Sequence, residues 1–406
     1  MNSGDYVSVK LAKKDIKGVL LESYDKSVVL LKLESGYNIG IPKENIFDIK
    51  VIRKGKKIED DFKIPESKGK KKIGLIVTGG TIASKLDSRT GGVNALTEVG
   101  EFAKFYPKLF EKCKVDVVSP FMELSENMGS SHWKKLANEV KKMLDDKSIE
   151  GIIITHGSDT LHYTSAVLSF MLDVNKPVAL TFSQRSIDRG SSDAELNLIC
   201  SAEFALSNAA EVVIVGHATS DDEYCHALRG TKVRKMHTSR RDTFDAINDK
   251  PIARVWPDKI KFLGNYKAKG QEVTLDDKFN DKIALVKFYP GQDSKIIDYY
   301  MKRKYKGVII EMTGLGHVSE NWISKLKKCI KSGVFVCGTA QTIYGSLNPK
   351  VYSTGRKLEK IGVIYLKDML SETAFVKLGW VLGHKNWDVK KKMLENISGE
   401  FNNFLD

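Results

Sequence analysis

The 406-residue sequence is poor in long apolar runs and in cysteine. No stretch approaches the roughly 18 apolar residues that a membrane-spanning helix needs, and residues 1–5 lack the apolar core of a signal peptide. We therefore expect a cytoplasmic protein. The five cysteines form no C-x-x-C pair, so neither a disulfide framework nor a zinc site is indicated, and we expect them to pack as small apolar residues.

Several familiar catalytic and cofactor-binding motifs are also missing. The sequence has no G-x-S-x-G, H-E-x-x-H or G-x-x-x-x-G-K-[ST] segment. Residues 314–319 contain two glycines but lack the third glycine of a dinucleotide-binding turn. We therefore expect this chain to bind no NAD, ATP or metal ion itself.

The composition is that of a folded protein with a basic surface. Apolar residues make up 42% of the chain and charged residues 29%, which excludes intrinsic disorder, and the length fits two or three domains. The net charge of +14 favours polyanionic partners such as RNA. Most of the basic residues are lysines, however, and a lysine-rich surface also serves simply for solubility.

The chain divides into five segments by pattern. Short strands separated by turn residues predict a small β-barrel domain at residues 1–53, followed by a charged linker at 54–72. Beyond the linker, apolar runs alternate with helical segments, which predicts an α/β fold with a larger, doubly wound, mainly parallel sheet at 73–255. An interlobe connection at 256–280 then leads to a smaller C-terminal α/β lobe at 281–406.

Two glycine-containing turns follow strands of the predicted parallel sheet. Residues 78–84 read Thr-Gly-Gly-Thr-Ile-Ala-Ser, and residues 155–160 read Thr-His-Gly-Ser-Asp-Thr. Both present hydroxyl groups at the carboxyl edge of the sheet, where open α/β sheets bind ligands. Either turn alone is best explained by helix N-capping, but two such turns on one sheet favour a shared site.

A hydroxyl nucleophile needs a nearby base, and the segment at residues 230–241 offers several. A histidine can serve, as can a lysine that burial makes partly neutral. Spacing in the sequence does not distinguish between Lys232, Lys235 and His237.

Together, the two turns resemble the two signature motifs of the bacterial-type L-asparaginase family. The predicted barrel and four further segments, at residues 125–128, 190–194, 229–242 and 351–356, are similar to the family of archaeal glutamyl-tRNA(Gln) amidotransferase D subunits. This likeness spans essentially the whole chain. It implies an asparaginase-like two-lobed fold behind the barrel, and a glutaminase that hydrolyses L-glutamine to glutamate and ammonia.

The resemblance also assigns roles to residues. Thr81 matches the family's first catalytic threonine, the expected acylated nucleophile, Ser158 stands where the second motif has threonine, and Asp159 matches its aspartate. Lys235 matches the lysine that pairs with the second hydroxyl. The positions that bind the substrate's α-carboxylate and α-ammonium fall on Ser125 and Glu126, while the glycine turns at Gly80 and Gly157 are expected to stabilise an oxyanion.

Two departures from the asparaginase pattern affect this site. Ser158 lacks the methyl group that stiffens a threonine rotamer, so we expect looser positioning with unchanged chemistry. The loop at residues 82–105 contains no tyrosine, although asparaginases usually supply one there to the first threonine.

Partners and cofactors also follow from the resemblance. A partner, the E subunit of the amidotransferase, is expected to use ATP and Mg²⁺ to convert Glu-tRNA(Gln) to Gln-tRNA(Gln) with the released ammonia, so these cofactors belong to the partner. A homodimer within a heterotetramer is implied as well. Two alternatives remain: a free-standing asparaginase, which would not need the barrel or the basic balance, and an inactive RNA-binding scaffold, which would not need the hydroxyl and lysine groups.

Overall fold

A computed structural model describes the chain at residues 2, 4–21, 23, 25–34, 38–55, 70–86, 93–95, 99–187 and 190–402. Residues 56–69 of the predicted linker lie outside this description, as do residues 87–92 and 96–98 of the loop after Thr81. Among the described residues, no helix is long and apolar enough to cross a membrane.

Five strands that lie between residues 6 and 53 pair into an antiparallel sheet with strand order β4-β3-β2-β1-β5. Side chains alternate along these strands, and one face buries a small core that includes Val7, Val9 and Leu31. The short strands expected at residues 1–53 are therefore present. The strands are β1 (Tyr6–Lys10), β2 (Asp15–Leu21), β3 (Val28–Lys32), β4 (Asn38–Pro42) and β5 (Asp48–Arg53).

The larger lobe follows. Its strands are β6 (Lys72–Val77), β7 (Ser84–Leu86), β8 (Val93–Ala95), β9 (Lys114–Val118), β10 (Ile149–Thr155), β11 (Leu172–Asp173), β12 (Val178–Thr181), β13 (Val212–His217), β14 (Cys225–Arg229), β15 (Val233–Lys235), β16 (Phe244–Ala246), β17 (Ala253–Val255), β18 (Ile260–Phe262) and β19 (Thr274–Leu275). Its helices are α1 (Val99–Phe105), α2 (Pro107–Lys112), α3 (Ser130–Asp145), α4 (Leu161–Met171) and α5 (Ala194–Ala205).

An eight-stranded sheet with order β18-β17-β14-β13-β12-β10-β6-β9 organises this lobe. The strands from β9 to β13 in that order pair in parallel. Alternate residues of β10 bury opposite faces: Ile152 and Ile154 pack in the core that contains α3 and α4, and Ile153 packs in the core that contains α5. Both faces of the parallel region are covered, as the continuous apolar strands predict.

The sheet also differs from the sequence prediction at one side. Strands β14, β17 and β18 extend it in antiparallel order. These strands are only three to five residues long, too short for a clear apolar pattern. Strand β18 belongs to the large sheet although it falls within the predicted interlobe connection at 256–280, and β19 in the same segment pairs with β11.

The C-terminal lobe is a smaller α/β unit, as predicted. Its four parallel strands have the order β20-β21-β22-β23. They are β20 (Ile283–Lys287), β21 (Gly307–Met312), β22 (Phe335–Ala340) and β23 (Ile364–Tyr365). The helices are α6 (Ile296–Lys302), α7 (Glu320–Lys331), α8 (Ser353–Lys360), α9 (Ser371–Leu382) and α10 (Val389–Leu394).

Helix α9 joins the C-terminal lobe to the larger lobe. Its Trp380 ring stacks on Phe170 of α4 with 5.9 Å between ring centroids, and Phe375 meets Tyr163 edge-on. Helix α4 begins three residues after Ser158, so the helix that follows the second glycine turn packs against the other lobe. The two-lobed α/β fold expected from the sequence is confirmed. All five cysteines are buried and free, also as expected.

Candidate active site

The first glycine turn begins where β6 ends. Thr78 is fully buried, and its hydroxyl donates a 2.8 Å hydrogen bond to the Thr155 carbonyl at the end of neighbouring β10. Gly79 and Gly80 then take φ angles of +128° and +84°, a region that favours glycine. The turn delivers Thr81 to an exposed position at the start of a short 3-10 turn.

The two glycine turns touch each other through their backbones. A Cβ atom on Gly80 would lie 2.6 Å from the Gly157 amide nitrogen, and a Cβ atom on Gly157 would lie 2.9 Å from Ser125 Oγ. Real Cβ atoms do not approach so closely, so only glycine permits this packing. Since Thr81 and Ser158 each follow one of these glycines, the contact brings both turns and Ser125 into one site.

Lys235 reaches this site from β15. Its Nζ lies 2.9 Å from Ser158 Oγ and 2.7 Å from Asp159 Oδ1. The lysine side chain is only 11% exposed, whereas that of Asp159 is 68% exposed and available to solutes. An amine, a hydroxyl and a carboxylate thus meet at the carboxyl edge of the parallel sheet.

The other two candidate bases lie elsewhere. Lys232 is fully buried and pairs with Asp368 of the C-terminal lobe. His237 is exposed, and its Nδ1 accepts hydrogen bonds from the backbone N–H groups of Ser239 and Arg240. Of the three candidates that spacing left open, Lys235 is the one that contacts Ser158.

Helix capping does not explain the second turn. The N-cap residue of α4 is Thr160, and no side chain caps the helix. The Thr160 hydroxyl instead donates a 2.6 Å hydrogen bond to the Ser125 carbonyl, which ties the two segments together. Ser158 and Asp159 direct their side chains to Lys235, so the shared-site interpretation describes this turn better than N-capping does.

Ser125 and Glu126 lie on a short 3-10 turn, Ser125–Asn127, beside the glycines. Ser125 is buried against Gly157, and Glu126 is exposed. Gly79 packs from the other side against the Glu123 carbonyl, 2.5 Å from where its Cβ would stand. The turn predicted to bind the substrate's α-carboxylate and α-ammonium therefore adjoins both glycine turns.

A buried histidine supports the second turn from below. His156 Nδ1 lies 2.7 Å from the Gly157 carbonyl oxygen, and Nε2 lies 2.9 Å from Thr164 Oγ1, which also accepts a hydrogen bond from Trp133 Nε1. Burial lowers the pKa of His156 to about 4, so the ring is neutral near pH 7. A neutral ring that donates through Nδ1 satisfies both contacts and fixes the peptide before Ser158.

Tyr106 is a supporting residue that sequence reasoning missed. Its hydroxyl donates a 2.6 Å hydrogen bond to the Ile82 carbonyl, directly after Thr81, and the ring is almost fully buried. Burial raises the pKa of this phenol, so it acts as a hydrogen-bond donor. Tyr106 follows directly after the loop at 82–105, which itself contains no tyrosine, and this position is the signal in the sequence for its role.

No metal centre is visible in the described portion of the chain, where no three His, Cys, Asp or Glu side chains gather closely enough to hold an ion. The residues around Ser158 offer a hydroxyl, an amine, a carboxylate and backbone N–H groups. Such groups suit acyl transfer, in which a hydroxyl attacks a carbonyl carbon and N–H donors stabilise the oxyanion.

Family models match three parts of the chain. The model for the N-terminal domain of asparaginase matches residues 72–268, and the glutaminase/asparaginase C-terminal domain matches residues 282–393. Residues 1–52 match the GatD N-terminal domain. The matches leave little of the chain uncovered.

Curated relatives are similar over nearly their whole length. The glutamyl-tRNA(Gln) amidotransferase D subunit of Thermococcus kodakarensis is 47% identical over 98% of this chain and 94% of the relative. The D subunit from Pyrococcus furiosus is 48% identical over 98% and 94%, and that from Sulfolobus acidocaldarius is 43% identical over 99% and 92%.

Solved structures of asparaginases share the two-lobed part of the fold. The thermostable L-asparaginase of Thermococcus kodakarensis superposes with a TM-score of 0.74 at 27% identity. L-asparaginase I of Vibrio cholerae gives 0.70 at 25% identity. Each match covers 82% of this chain and 100% of the asparaginase, so this chain carries additional residues that those enzymes lack.

Proposed function

The chain belongs to the family of glutamyl-tRNA(Gln) amidotransferase D subunits, a branch of the asparaginases, and from this premise we propose that it hydrolyses L-glutamine to glutamate and ammonia as the glutaminase of a tRNA-dependent amidotransferase. The observation that carries the proposal is the 2.9 Å contact between Lys235 Nζ and Ser158 Oγ, set beside the backbone contact of the two glycine turns. This arrangement supports attack on an amide by an activated hydroxyl.

In the proposed mechanism, Thr81 attacks the side-chain amide carbon of glutamine. The C–O bond forms as the carbonyl π electrons move to oxygen, and backbone N–H groups at Gly80 and Gly157 stabilise that oxyanion. Collapse of the intermediate breaks the C–N bond, and the nitrogen leaves as ammonia after gaining a proton. Water then attacks the ester, which releases glutamate and restores the hydroxyl.

Ser158, Lys235 and Asp159 supply the proton transfer and part of the binding. The Lys235 amine, 2.9 Å away, takes the proton of the Ser158 hydroxyl as Ser158 takes the proton that Thr81 loses, and this proton then passes to the leaving nitrogen. Asp159 uses Oδ1 to hold Lys235, and its exposed carboxylate binds the substrate's α-ammonium together with Glu126, while Ser125 binds the α-carboxylate. An alternative within the same site is that Ser158 and Lys235 activate only the water.

Kinetics of single variants test these roles. Thr81→Ala, Ser158→Ala and Lys235→Met should each lower glutaminase kcat by about 1,000-fold or more, because each removes a group that acts in the transition state. Thr238→Ala and Lys261→Met, at exposed positions, are matched controls that should keep wild-type rates. A fully active Thr81, Ser158 or Lys235 variant would remove that residue from the mechanism.

The relatives are D subunits of an amidotransferase, and this implies a complex with a partner protein. We propose that the partner is the amidotransferase's E subunit, which binds Glu-tRNA(Gln), uses ATP and Mg²⁺, and consumes the ammonia to form Gln-tRNA(Gln). The net charge of +14 supports association with a polyanion. Because the partner's substrate is a charged tRNA, we also propose a cytoplasmic location. From the resemblance to the D subunits, we propose a homodimer of this chain within a heterotetramer.

Adding the partner tests the coupling. Glutamine turnover by this chain should rise when the E subunit and Glu-tRNA(Gln) are added together, and uncharged tRNA is the control. An unchanged turnover would contradict the coupled function while leaving hydrolysis itself intact.

A free-standing asparaginase is the second candidate, favoured by the superposition on two L-asparaginases. It predicts rapid hydrolysis of asparagine by the isolated chain with no response to a partner. Comparing asparagine with glutamine, with and without the E subunit, separates the two functions.

A further inference from the structure

Lys235 lies on a hairpin that is separate from the main sheets. Strand β15 pairs with β16 in a two-stranded sheet, where Lys235 stands opposite Phe244 and Val233 opposite Ala246. A two-stranded hairpin is at best marginally stable alone. Contacts outside the hairpin must therefore fix the position of Lys235.

The side chains of this strand alternate between the two lobes. Lys235 points to Ser158 in the larger lobe, and Val233 on the same face is buried. Arg234, on the other face, points to Glu372 of the C-terminal lobe, and Lys232, directly before the strand, points to Asp368 of the same lobe. The strand is thus held between the active site and the other lobe.

Two ion pairs make the contact with the C-terminal lobe. Lys232 Nζ lies 2.6 Å from Asp368 Oδ2, and both side chains are fully buried. Arg234 Nε lies 3.1 Å from Glu372 Oε1, with Glu372 only 9% exposed. Asp368 and Glu372 are four residues apart, on either side of the start of α9. One short segment of the C-terminal lobe therefore forms ion pairs with both basic residues.

The surroundings leave Arg234 as the charged partner of Glu372. His162 Nε2 is 3.9 Å from Glu372 Oε1, but burial lowers the pKa of His162 to about 3, with Arg234 and Lys235 adding to the effect, so that ring is neutral. Asp368 also accepts hydrogen bonds from the Asn402 backbone N–H at 3.2 and 3.3 Å. Further hydrogen bonds of this kind stabilise a buried ion pair that desolvation would otherwise disfavour.

We infer that Asp368 and Glu372 are positioning residues for the amide hydrolysis: by binding Lys232 and Arg234, they hold the Lys235 amine against the Ser158 hydroxyl. The inference deepens the proposed function and rests on it. Neither acid contacts the reacting groups. A displacement of about 1 Å at a catalytic group can lower a rate by about 100-fold. The two ion pairs that fix this strand therefore affect kcat.

Neutralising Glu372 without changing its shape tests the inference. In the full chain with its partner, Glu372→Gln should lower kcat by about 10- to 100-fold with KM within about twofold of wild type, and Glu372→Asp should recover part of the loss. Asp298→Asn breaks a 2.7 Å ion pair with Lys325 in the same lobe and is the matched control. A wild-type kcat in Glu372→Gln would overturn the inference.

A double-mutant cycle separates positioning from a general loss of stability. In a Lys235→Met background, Glu372→Gln should cost nothing further, because the group that it positions is gone. A chromogenic γ-anilide of glutamate keeps these slow rates measurable. The same fold-loss in both backgrounds would mean that Glu372 acts on the fold at large, and would overturn the inference.

A crystal structure of Glu372→Gln gives a reading that is independent of substrate. The Lys235 Nζ to Ser158 Oγ distance should lengthen from 2.9 Å to beyond hydrogen-bond range. An unchanged distance would overturn the inference even if the enzyme acts on another amide. Failure of the wild-type complex to hydrolyse glutamine would instead refute the proposed function.

Discussion

At the scale of single residues, two buried histidines lie on and just after the second glycine turn. His156 is hydrogen-bonded to the Gly157 carbonyl, and His162, in the first turn of α4, contacts Phe244 and Glu372. Burial lowers the pKa of both rings, to about 4 and about 3. Both histidines are therefore neutral at pH 7 and become charged more readily in the unfolded chain.

This difference predicts that acid destabilises the protein through His162. An unfolded histidine has a pKa of about 6.5, so the unfolded chain binds a proton first as the pH falls, and stability declines between about pH 6.5 and 3. Between pH 7 and pH 5 the loss due to His162 should be about 2 kcal/mol. Urea unfolding at both pH values should show this loss, with a further loss from His156, in wild type and in the exposed control His237→Gln. The pH dependence of His162→Gln should be weaker by that amount, and an equal dependence would contradict the explanation.

At the scale of elements, the site depends on two turns that pack without side chains between them. The Gly80 backbone lies against the Gly157 amide, and the Thr78 hydroxyl bonds to the end of β10. These contacts link neighbouring parallel strands where they end. A single methyl group at the contact would force the two turns apart.

Gly80→Ala should therefore both destabilise the protein and impair catalysis. The alanine would hold a left-handed φ of +84° and its Cβ would overlap the neighbouring backbone, at a combined cost of about 3 kcal/mol. Gly264→Ala, whose Cβ would meet nothing within 4 Å, should change stability by less than about 0.5 kcal/mol. Denaturant unfolding and kcat measured on both variants test this. Similar results for the two would contradict the packing argument.

Elements near the site differ in how far the sequence predicts them. The contact between the turns that carry Thr81 and Ser158 was predictable because both turns follow apolar strands whose carboxyl ends share one sheet edge. The position of Lys235 in the site was not predictable from local pattern, since the residue lies on a three-residue strand outside that sheet. Only the family resemblance distinguished it from Lys232 and His237. The pairing of Lys232 with Asp368 joins residues 136 apart through lobe packing, which local patterns do not encode.

At the scale of the whole molecule, a C-terminal segment, residues 398–400, bonds to both lobes. Ser398 donates through its hydroxyl to the Ser169 carbonyl, and its own carbonyl accepts from the Thr231 hydroxyl, with both partners in the larger lobe. Glu400 pairs with Lys377 of α9, and both of these side chains are fully buried. The segment thus spans both lobes within a few residues.

Loss of one partner in this buried pair should be costly. Lys377→Met leaves the Glu400 carboxylate buried and unpaired, and we expect a loss of about 3 to 5 kcal/mol in unfolding free energy. Lys357→Met removes an exposed pair with Glu320 and should cost less than about 1 kcal/mol. Guanidinium titrations compare the two. Equal losses would show that the buried pair contributes no more than a surface one.

Strand β15 makes the position of the Lys235 amine depend on how the two lobes pack against each other. Lys235 on one face of the strand contacts Ser158, while Arg234 on the other face and the preceding Lys232 pair with acids of the C-terminal lobe. A small separation of the lobes would therefore inactivate the enzyme while both sheets were still intact. We therefore expect heating to abolish ammonia production at a lower temperature than it abolishes circular dichroism. Loss of ammonia production and of circular dichroism over the same temperature range would contradict this expectation. A protein bound only to the C-terminal lobe would then change the rate of hydrolysis without contacting the active site.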